Sequence, residues 1–259
     1  MNETSAEPGQ SLLRVENVAH HFGGLQVLRG VSFDVPRGSL TALIGPNGAG
    51  KSTLFNIVSG FLPPQRGAVC FDGRDITSDT VQARSRAGLM RTFQTPQIFR
   101  NLTVRENLMM GRYRHLASGI AANMLRLRSS RSEMDQLRQR AEEACERFGL
   151  KHVIDRMAGQ VPTGTQRWVE LARAWVGAPR LMMLDEPSSG LNTEEIARLH
   201  SLLQRLNSEG MTILLVSHDM ALVDVAHRVH VLCFGAIIAS GTMQQIKQDE
   251  RVRHAYLGV

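Results

Sequence analysis

Apolar and polar positions change rhythm several times along this chain. Leu12–Val18 and Val31–Val35 alternate loosely, the period of strands buried on one face. Leu40–Ile44 and Leu181–Leu184 are short, mostly apolar runs, as in strands covered on both faces. The first run stops at Gly45-Pro46, and Lys51–Ser59 then takes helical spacing, ended by Gly60 and the Pro63-Pro64 pair. Gly67–Phe71 predicts another strand, closed by an Asp72-Gly73 turn.

From about Thr95 to Gln160 helical periodicity dominates. Over Arg131–Phe148 it gathers Met134, Leu137, Ala141, Cys145 and Phe148 on one face, with Gly149 placed to cap the end. After that the alternation of strands and helices returns. Gly164–Gly177 predicts a helix and Asn192–Glu209 another, opened by a capping box of Asn192 and Glu195. Thr212–Val216 predicts a strand, Met220–Ala226 a helix, and Val229–Phe234 and Ile237–Ala239 closing strands. Strands alternating with helices imply an α/β fold around a mainly parallel sheet. The expected division is a loose tail at 1–10, a core at 11–94 and 166–259, and an inserted helical subdomain at 95–165.

Composition narrows the class without deciding it. Hydrophobic residues are 42% and charged residues 21% of the chain, ordinary for a globular protein. The first ten residues lack the basic start and apolar stretch of a secretory signal, and no run approaches the ~20 apolar residues that cross a bilayer. The net charge of +6 suits phosphate ligands, an anionic membrane or nucleic acid. No lysine stripe with interleaved aromatics points to nucleic acid, so none is expected as a partner. Cys70, Cys145 and Cys233 show no C-x-x-C spacing and are expected to be buried free thiols.

The chemistry begins at Gly45-Pro46-Asn47-Gly48-Ala49-Gly50-Lys51-Ser52-Thr53, which matches G-x-x-x-x-G-K-[ST] between an apolar strand and a helix. Glycines let successive backbone N–H groups ring a phosphate, and the helix start points its positive end at the same charge. Lys51 adds a cation for the β- and γ-phosphates, and the Ser52 hydroxyl is placed to ligate Mg²⁺. The second element is Leu181–Leu184 running into Asp185-Glu186. A buried strand ending in two acids needs a reason, since unpaired buried charge is costly. Asp185 can hold Mg²⁺ through its water shell, and Glu186 can act as general base toward an attacking water.

These elements define a P-loop nucleotide hydrolase. Gln94 within Arg91-Thr92-Phe93-Gln94, His218 after Thr212–Val216, and Ser188–Asn192 after the acids narrow the field. With them, nearly the whole chain resembles the ATP-binding subunits of ABC transporters. The resemblance implies an ABC-type nucleotide-binding domain with a small antiparallel β-subdomain beside the parallel core and an inserted helical subdomain. It implies ATP and Mg²⁺ as ligands. Gln94 would touch the metal and water, His218 the γ-phosphate, and Ser188–Asn192 the partner subunit. Phe22 would stack on adenine, although a phenylalanine near a strand is as often part of a core.

Phe22-Gly-Gly-Leu25, Gly60-Phe61, Arg91–Gln94, the Gly190-Leu191-Asn192 ending and Arg253–Gly258 resemble the uptake systems for branched-chain amino acids and amides such as urea. That implies a peripheral ATPase on the cytoplasmic face of the inner membrane, paired as a homodimer or heterodimer. It also implies two integral-membrane permeases and an extracytoplasmic solute-binding protein. A soluble ATPase serving translation or cluster assembly is the rival reading.

One loop departs from the family. Where Leu-Ser-Gly-Gly-Gln is usual, the chain has Val161 followed by Pro162, Thr163, Gly164 and Thr165. The usual serine grips the γ-phosphate of the partner's ATP, and proline has neither hydroxyl nor N–H to offer. Two unequal ATP sites are expected, the weaker one completed by this loop. Ile98, Phe99 and Leu102 either receive a permease helix or pack inside the helical subdomain. The arginines from Arg126 to Arg140 either face anionic lipid or form a solvated helix face.

Overall fold

The computed structural model describes residues 11–112 and 128–257. They fall into two compact units. The first comprises 11–91, 180–188 and 192–257, and the second the described residues of 92–179 with 189–191.

The first unit holds two sheets. Its six-stranded sheet is built from β3 (Leu40–Ile44), β6 (Leu89–Arg91), β7 (Leu181–Asp185), β8 (Thr212–Val216), β9 (Arg228–Cys233) and β10 (Ala236–Gly241), in the order β10-β9-β3-β8-β7-β6. Every pairing is parallel except β9 with β10. All residues of β3, β7 and β8 are buried, which accounts for their near-continuous apolar runs. The second sheet is antiparallel, in the order β2-β1-β4-β5, from β1 (Ser11–Phe22), β2 (Leu25–Pro36), β4 (Arg66–Phe71) and β5 (Arg74–Asp75). The expected mainly parallel core and small antiparallel subdomain are both present.

β1 and β2 run well beyond the alternating stretches Leu12–Val18 and Val31–Val35, because backbone pairing continues through exposed polar positions where periodicity fades. Asp72 and Gly73 form the expected turn, both with positive φ.

Helix α1 spans Lys51–Ser59 as its spacing predicts. It ends on Gly60 at φ 84°, where the N–H of Phe61 reaches back to the Asn56 carbonyl at 2.9 Å. Helix α2 is Val81–Arg86. Later in the first unit come α6 (Thr193–Ser208), α7 (Met220–Val223), α8 (Met243–Gln248) and α9 (Glu250–Leu257). Asn192 and Glu195 close the predicted capping box with two 2.9 Å bonds. Helix α7 is shorter than the expected Met220–Ala226. Asp219 caps it, and the chain leaves the helix at Asp224 although Val225 and Ala226 beyond are apolar.

The second unit is helical, with α3 (Val104–Met110), α4 (Arg128–Phe148) and α5 (Thr163–Val176). On α4, Leu137, Ala141, Cys145 and Phe148 are buried as predicted, joined by Ala144, while Met134 is half-buried. Gly149 follows at φ 68°. Helix α5 begins one residue earlier than expected and clusters with this unit rather than with the core from 166 onward. Two cysteines meet the expectation of burial, but Cys70 is half-buried. Among the described residues no helix is long and apolar enough to cross a membrane.

Candidate nucleotide site

Three neighbouring parallel strands, β3, β8 and β7, carry the first group of expected residues at their C-terminal ends. Leu43 lies opposite Val216, and Val216 opposite Asp185. Gly45 therefore starts its loop, His218 follows its strand and Asp185-Glu186 ends its strand on one edge of the sheet. The carboxyl edge of an open parallel sheet is where such folds bind ligands.

Two positions of the loop Gly45–Thr53 lie where only glycine fits. A Cβ on Gly45 would lie 2.0 Å from the Leu232 carbonyl oxygen. Gly50 has φ 104°, and a Cβ there would come within 2.8 Å of Leu28 Cδ2 and 3.0 Å of the Val27 carbonyl. The Gly235 N–H donates to the Ala49 carbonyl at 3.1 Å, tying the loop to the β9–β10 turn. Asn47 and Gly48 are exposed, Pro46 half-buried and Ala49 buried. Lys51, Ser52 and Thr53 form the first turn of α1, whose N–H groups have no partner within the helix. Lys51 Nζ donates to the carbonyls of Gly45 at 2.6 Å and Pro46 at 2.9 Å. Burial lowers its pKa, an effect opposed by the Glu186 and Asp185 carboxylates.

The two acids have different surroundings. Asp185 is buried, and its Oδ2 accepts from Arg91 at 2.8 Å. The same guanidinium donates to Asn56 Oδ1 and Ser59 Oγ on α1 and lies against the Phe55 and Phe61 rings. Glu186 takes a left-handed backbone at φ 48°, unusual outside glycine, and its N–H donates to the Val216 carbonyl at 2.9 Å. Glu186 Oε2 lies 2.8 Å from His218 Nδ1, with His218 80% exposed and Glu186 only 14%. Thus an open imidazole sits on a nearly buried carboxylate. At the end of β1, Phe22 is 53% exposed, its ring edge-on to buried His20. Exposure excludes the reading of Phe22 as a core residue.

The hard oxygen donors at the edge suit Mg²⁺. Ser52 and Asp185 offer one oxygen group each, and no described cluster of three His, Cys, Asp or Glu side chains forms an all-protein cage. Mg²⁺ is commonly held by one or two carboxylates plus phosphate oxygens and water.

The second unit holds the remaining expected residues. Gln94 is exposed. Pro162 is the N-cap of α5 and makes no side-chain cap bond, and Thr163–Thr165 form the first turn. Phe99 is 47% exposed with Arg173 over its ring at 5.3 Å, whereas Ile98 and Leu102 are half-buried, so the expectation for these three divides between its two alternatives. Arg138 and Arg140 are exposed on α4, and the side chains of Arg126, Arg128 and Arg131 lie outside those described.

Sequence reasoning missed Arg91, Arg167 and Glu170. The last two are buried charges three residues apart on α5, among Trp168, Val169, Leu171 and Ala172. Charges of opposite sign inside an apolar helical run were the available signal.

Residues 28–189 match the family model described as "ABC transporter". The chain belongs to that family. Residues 236–259 of the cassette match a second model, "Branched-chain amino acid ATP-binding cassette transporter". The cassette is 38% identical to the high-affinity branched-chain amino acid transport ATP-binding protein LivG of Escherichia coli K12, over 96% of this chain and 98% of that one. It is 37% identical to BraF of Pseudomonas aeruginosa, which has the same description, over 95% and 98%. A solved ATP-binding cassette of an ABC transporter in its ADP conformation superposes with a TM-score of 0.82 at 32% identity, covering 96% of this chain and 99% of that one. The cassette is a nucleotide-binding ATPase subunit.

Proposed function

We propose that this chain binds Mg²⁺–ATP on the Gly45–Thr53 loop and hydrolyses it to drive uptake of branched-chain amino acids or related small polar solutes such as urea. The observation that carries the reading is the shared edge of β3, β8 and β7, which gathers Lys51, Asp185, Glu186 and His218 in one unit. Relatives described as branched-chain amino acid transport proteins along nearly their whole length support the solute class. The chain works at the cytoplasmic face of the inner membrane, beside two permeases, a second ATPase and a solute-binding protein outside.

Each residue has a part. Backbone N–H groups of Gly45–Gly50 and the first turn of α1 cradle the phosphates, and Lys51 turns from its carbonyls toward the β- and γ-oxygens. Phe22 stacks on the adenine ring. Ser52 and Asp185 would hold Mg²⁺, which when bound offsets charge on the phosphate oxygens. Glu186 takes a proton from water as that water's oxygen attacks the γ-phosphorus. The bond to the β-phosphate oxygen breaks, and ADP leaves with the electron pair. His218 steadies the Glu186 carboxylate and contacts the γ-phosphate.

Pro162–Thr165 completes the partner's ATP site with less grip than a serine would give, a loss of ~1.5–3 kcal/mol for one charge-assisted bond. The site built on Lys51, Glu186 and His218 then does most of the hydrolysis within a heterodimer.

Titration of the purified chain with a fluorescent ATP analogue, with and without Mg²⁺, tests the nucleotide reading. Metal-dependent binding that Lys51→Ala abolishes is expected, and indifference to that substitution sinks it. ATP-driven uptake of leucine against urea into vesicles bearing the complex tests the solute.

A further inference from the structure

A row of charges on α5, buried at Arg167 and Glu170 and half-buried at Arg173, holds the backbone of the Gln94 segment. Arg167, Glu170 and Arg173 are spaced three apart, so they share one side of the helix. The Arg167 guanidinium donates to the carbonyl oxygens of Phe93 and Gln94. Glu170 Oε1 accepts the backbone N–H of Phe93 at 3.3 Å and of Gln97 at 3.1 Å, while its Oε2 accepts from Arg167 at 2.8 Å. Arg173 donates to the Gln97 carbonyl and covers the Phe99 ring. The side chains of Arg167 and Glu170 are 1% and 3% exposed.

Bulk stability is a poor reason for such a row. Desolvation offsets most of the attraction within a buried ion pair, and apolar residues of similar volume serve a core as well or better. Burial indeed pushes the Glu170 carboxyl upward, against the pull of the Gln97 and Phe93 N–H groups and Arg167. What the row does specify is a main-chain path, since apart from the ion pair itself these bonds end on backbone groups of residues 93–97. The same helix begins at Thr163, directly after Pro162. One rigid element therefore presents Pro162–Thr165 at its start and grips Gln94 about one turn later, given ~3.6 residues per turn.

We infer that Arg167 and Glu170 are positioning residues that fix the Gln94 backbone to the helix bearing Pro162–Thr165, so that the two loops are set as one piece. The inference rests on the ATPase reading and deepens it. Its consequence is specific: loosening the grip harms hydrolysis before it harms nucleotide affinity. The phosphate-binding loop belongs to the other unit and takes its geometry from β3, α1, Leu232 and Gly235.

The test uses the full-length chain carrying Arg167→Met and Glu170→Leu together, which removes the charges without leaving either unpaired. Mg²⁺–ATP affinity, read with a fluorescent analogue, is expected to stay within about twofold, while kcat of the complex purified from membranes falls about a hundredfold at steady KM. Wild-type kcat in the double variant overturns the inference, and so does a parallel loss of affinity. Should the double variant not fold, Glu170→Gln alone decides. It keeps the volume and accepts the two N–H bonds but weakens the tie to Arg167, and a kcat drop of about tenfold at unchanged KM is expected. Unchanged kcat there is equally fatal. If the unmodified chain binds no Mg²⁺–ATP, the ATPase reading itself fails, an outcome visible before any variant is made.

Discussion

Arg91 Nη2 donates to Asp185 Oδ2 at 2.8 Å, with the two side chains only 7% and 9% exposed. Through Asn56 and Ser59 the same guanidinium is bonded to the last turns of α1, the helix whose first turn holds Lys51 and Ser52. Arg91 thus joins the helix bearing Ser52 to the strand bearing Asp185, two of the expected Mg²⁺ ligands. Replacing it by methionine strands the Asp185 carboxylate in a buried place. A loss of ~3–5 kcal/mol in urea unfolding is expected, the usual result of removing one partner of a buried pair. Arg91→Lys should lose less, since it keeps the charge but not the forked geometry. An Arg91→Met chain as stable as wild type would show that the pair carries no such role.

The phosphate loop makes a graded prediction about its glycines. Gly45→Ala sets a methyl 2.0 Å from the Leu232 carbonyl, and Gly50→Ala meets Leu28 and Val27 at φ 104°. Gly48, at φ 79°, has open space around it. Nucleotide titration should show binding lost in Gly45→Ala and Gly50→Ala. Gly48→Ala should bind nearly normally, at a cost of about 1–2 kcal/mol in backbone strain.

The unequal-site proposal predicts opposite outcomes for two substitutions in the assembled complex. Glu186→Gln removes the proton acceptor and should abolish nearly all ATP turnover. Pro162→Ser restores a hydroxyl and an N–H at the start of α5, and should raise turnover at the partner's site. Half of the activity surviving in Glu186→Gln would refute the asymmetry.

Stability should fall in mild acid because of His230. The ring is buried, its Nδ1 lies 2.7 Å from Ser240 Oγ, and burial lowers its pKa from an ordinary 6.5 to about 4. Arg228 pushes the same way, and Asp34 opposes both. The folded state keeps the neutral ring, so the unfolded chain binds the extra proton between those pH values. This contribution is complete above pH 6.5 and shrinks as pH falls toward 4, by up to ~3 kcal/mol at 1.36 kcal/mol per unit. Unfolding free energies of wild type and His230→Asn between pH 7 and 4.5 should converge, and parallel curves would exclude the assignment.

Much of the fold was legible because local rules and tertiary demands agree in it. Leu40–Ile44 and Leu181–Leu184 read as buried strands and are buried at every position. Asn192 with Glu195 read as a helix start and closes both bonds of its box. The end of α7 was not legible, since apolar spacing continues past Val223 while the backbone does not. Phe22 was undecided from sequence, because a phenylalanine beside a strand fits a core or a ligand equally well. Its 53% exposure comes from the end of β1, which no local pattern records.

Residue spacing by itself determined the phosphate loop, the acidic pair and the strands that carry them. Those features depend on backbone geometry over a few neighbours: a glycine-rich turn between a strand and a helix, a lysine at the first turn of a helix, a carboxylate where a strand stops. Only the tertiary structure decided which charges answer one another. Arg91 and Asp185 lie 94 positions apart, and Arg167 meets Gln94 across 73. A charge leaves no periodic trace of its partner in the chain, and burial, which makes the partner necessary, exists only once the chain has folded.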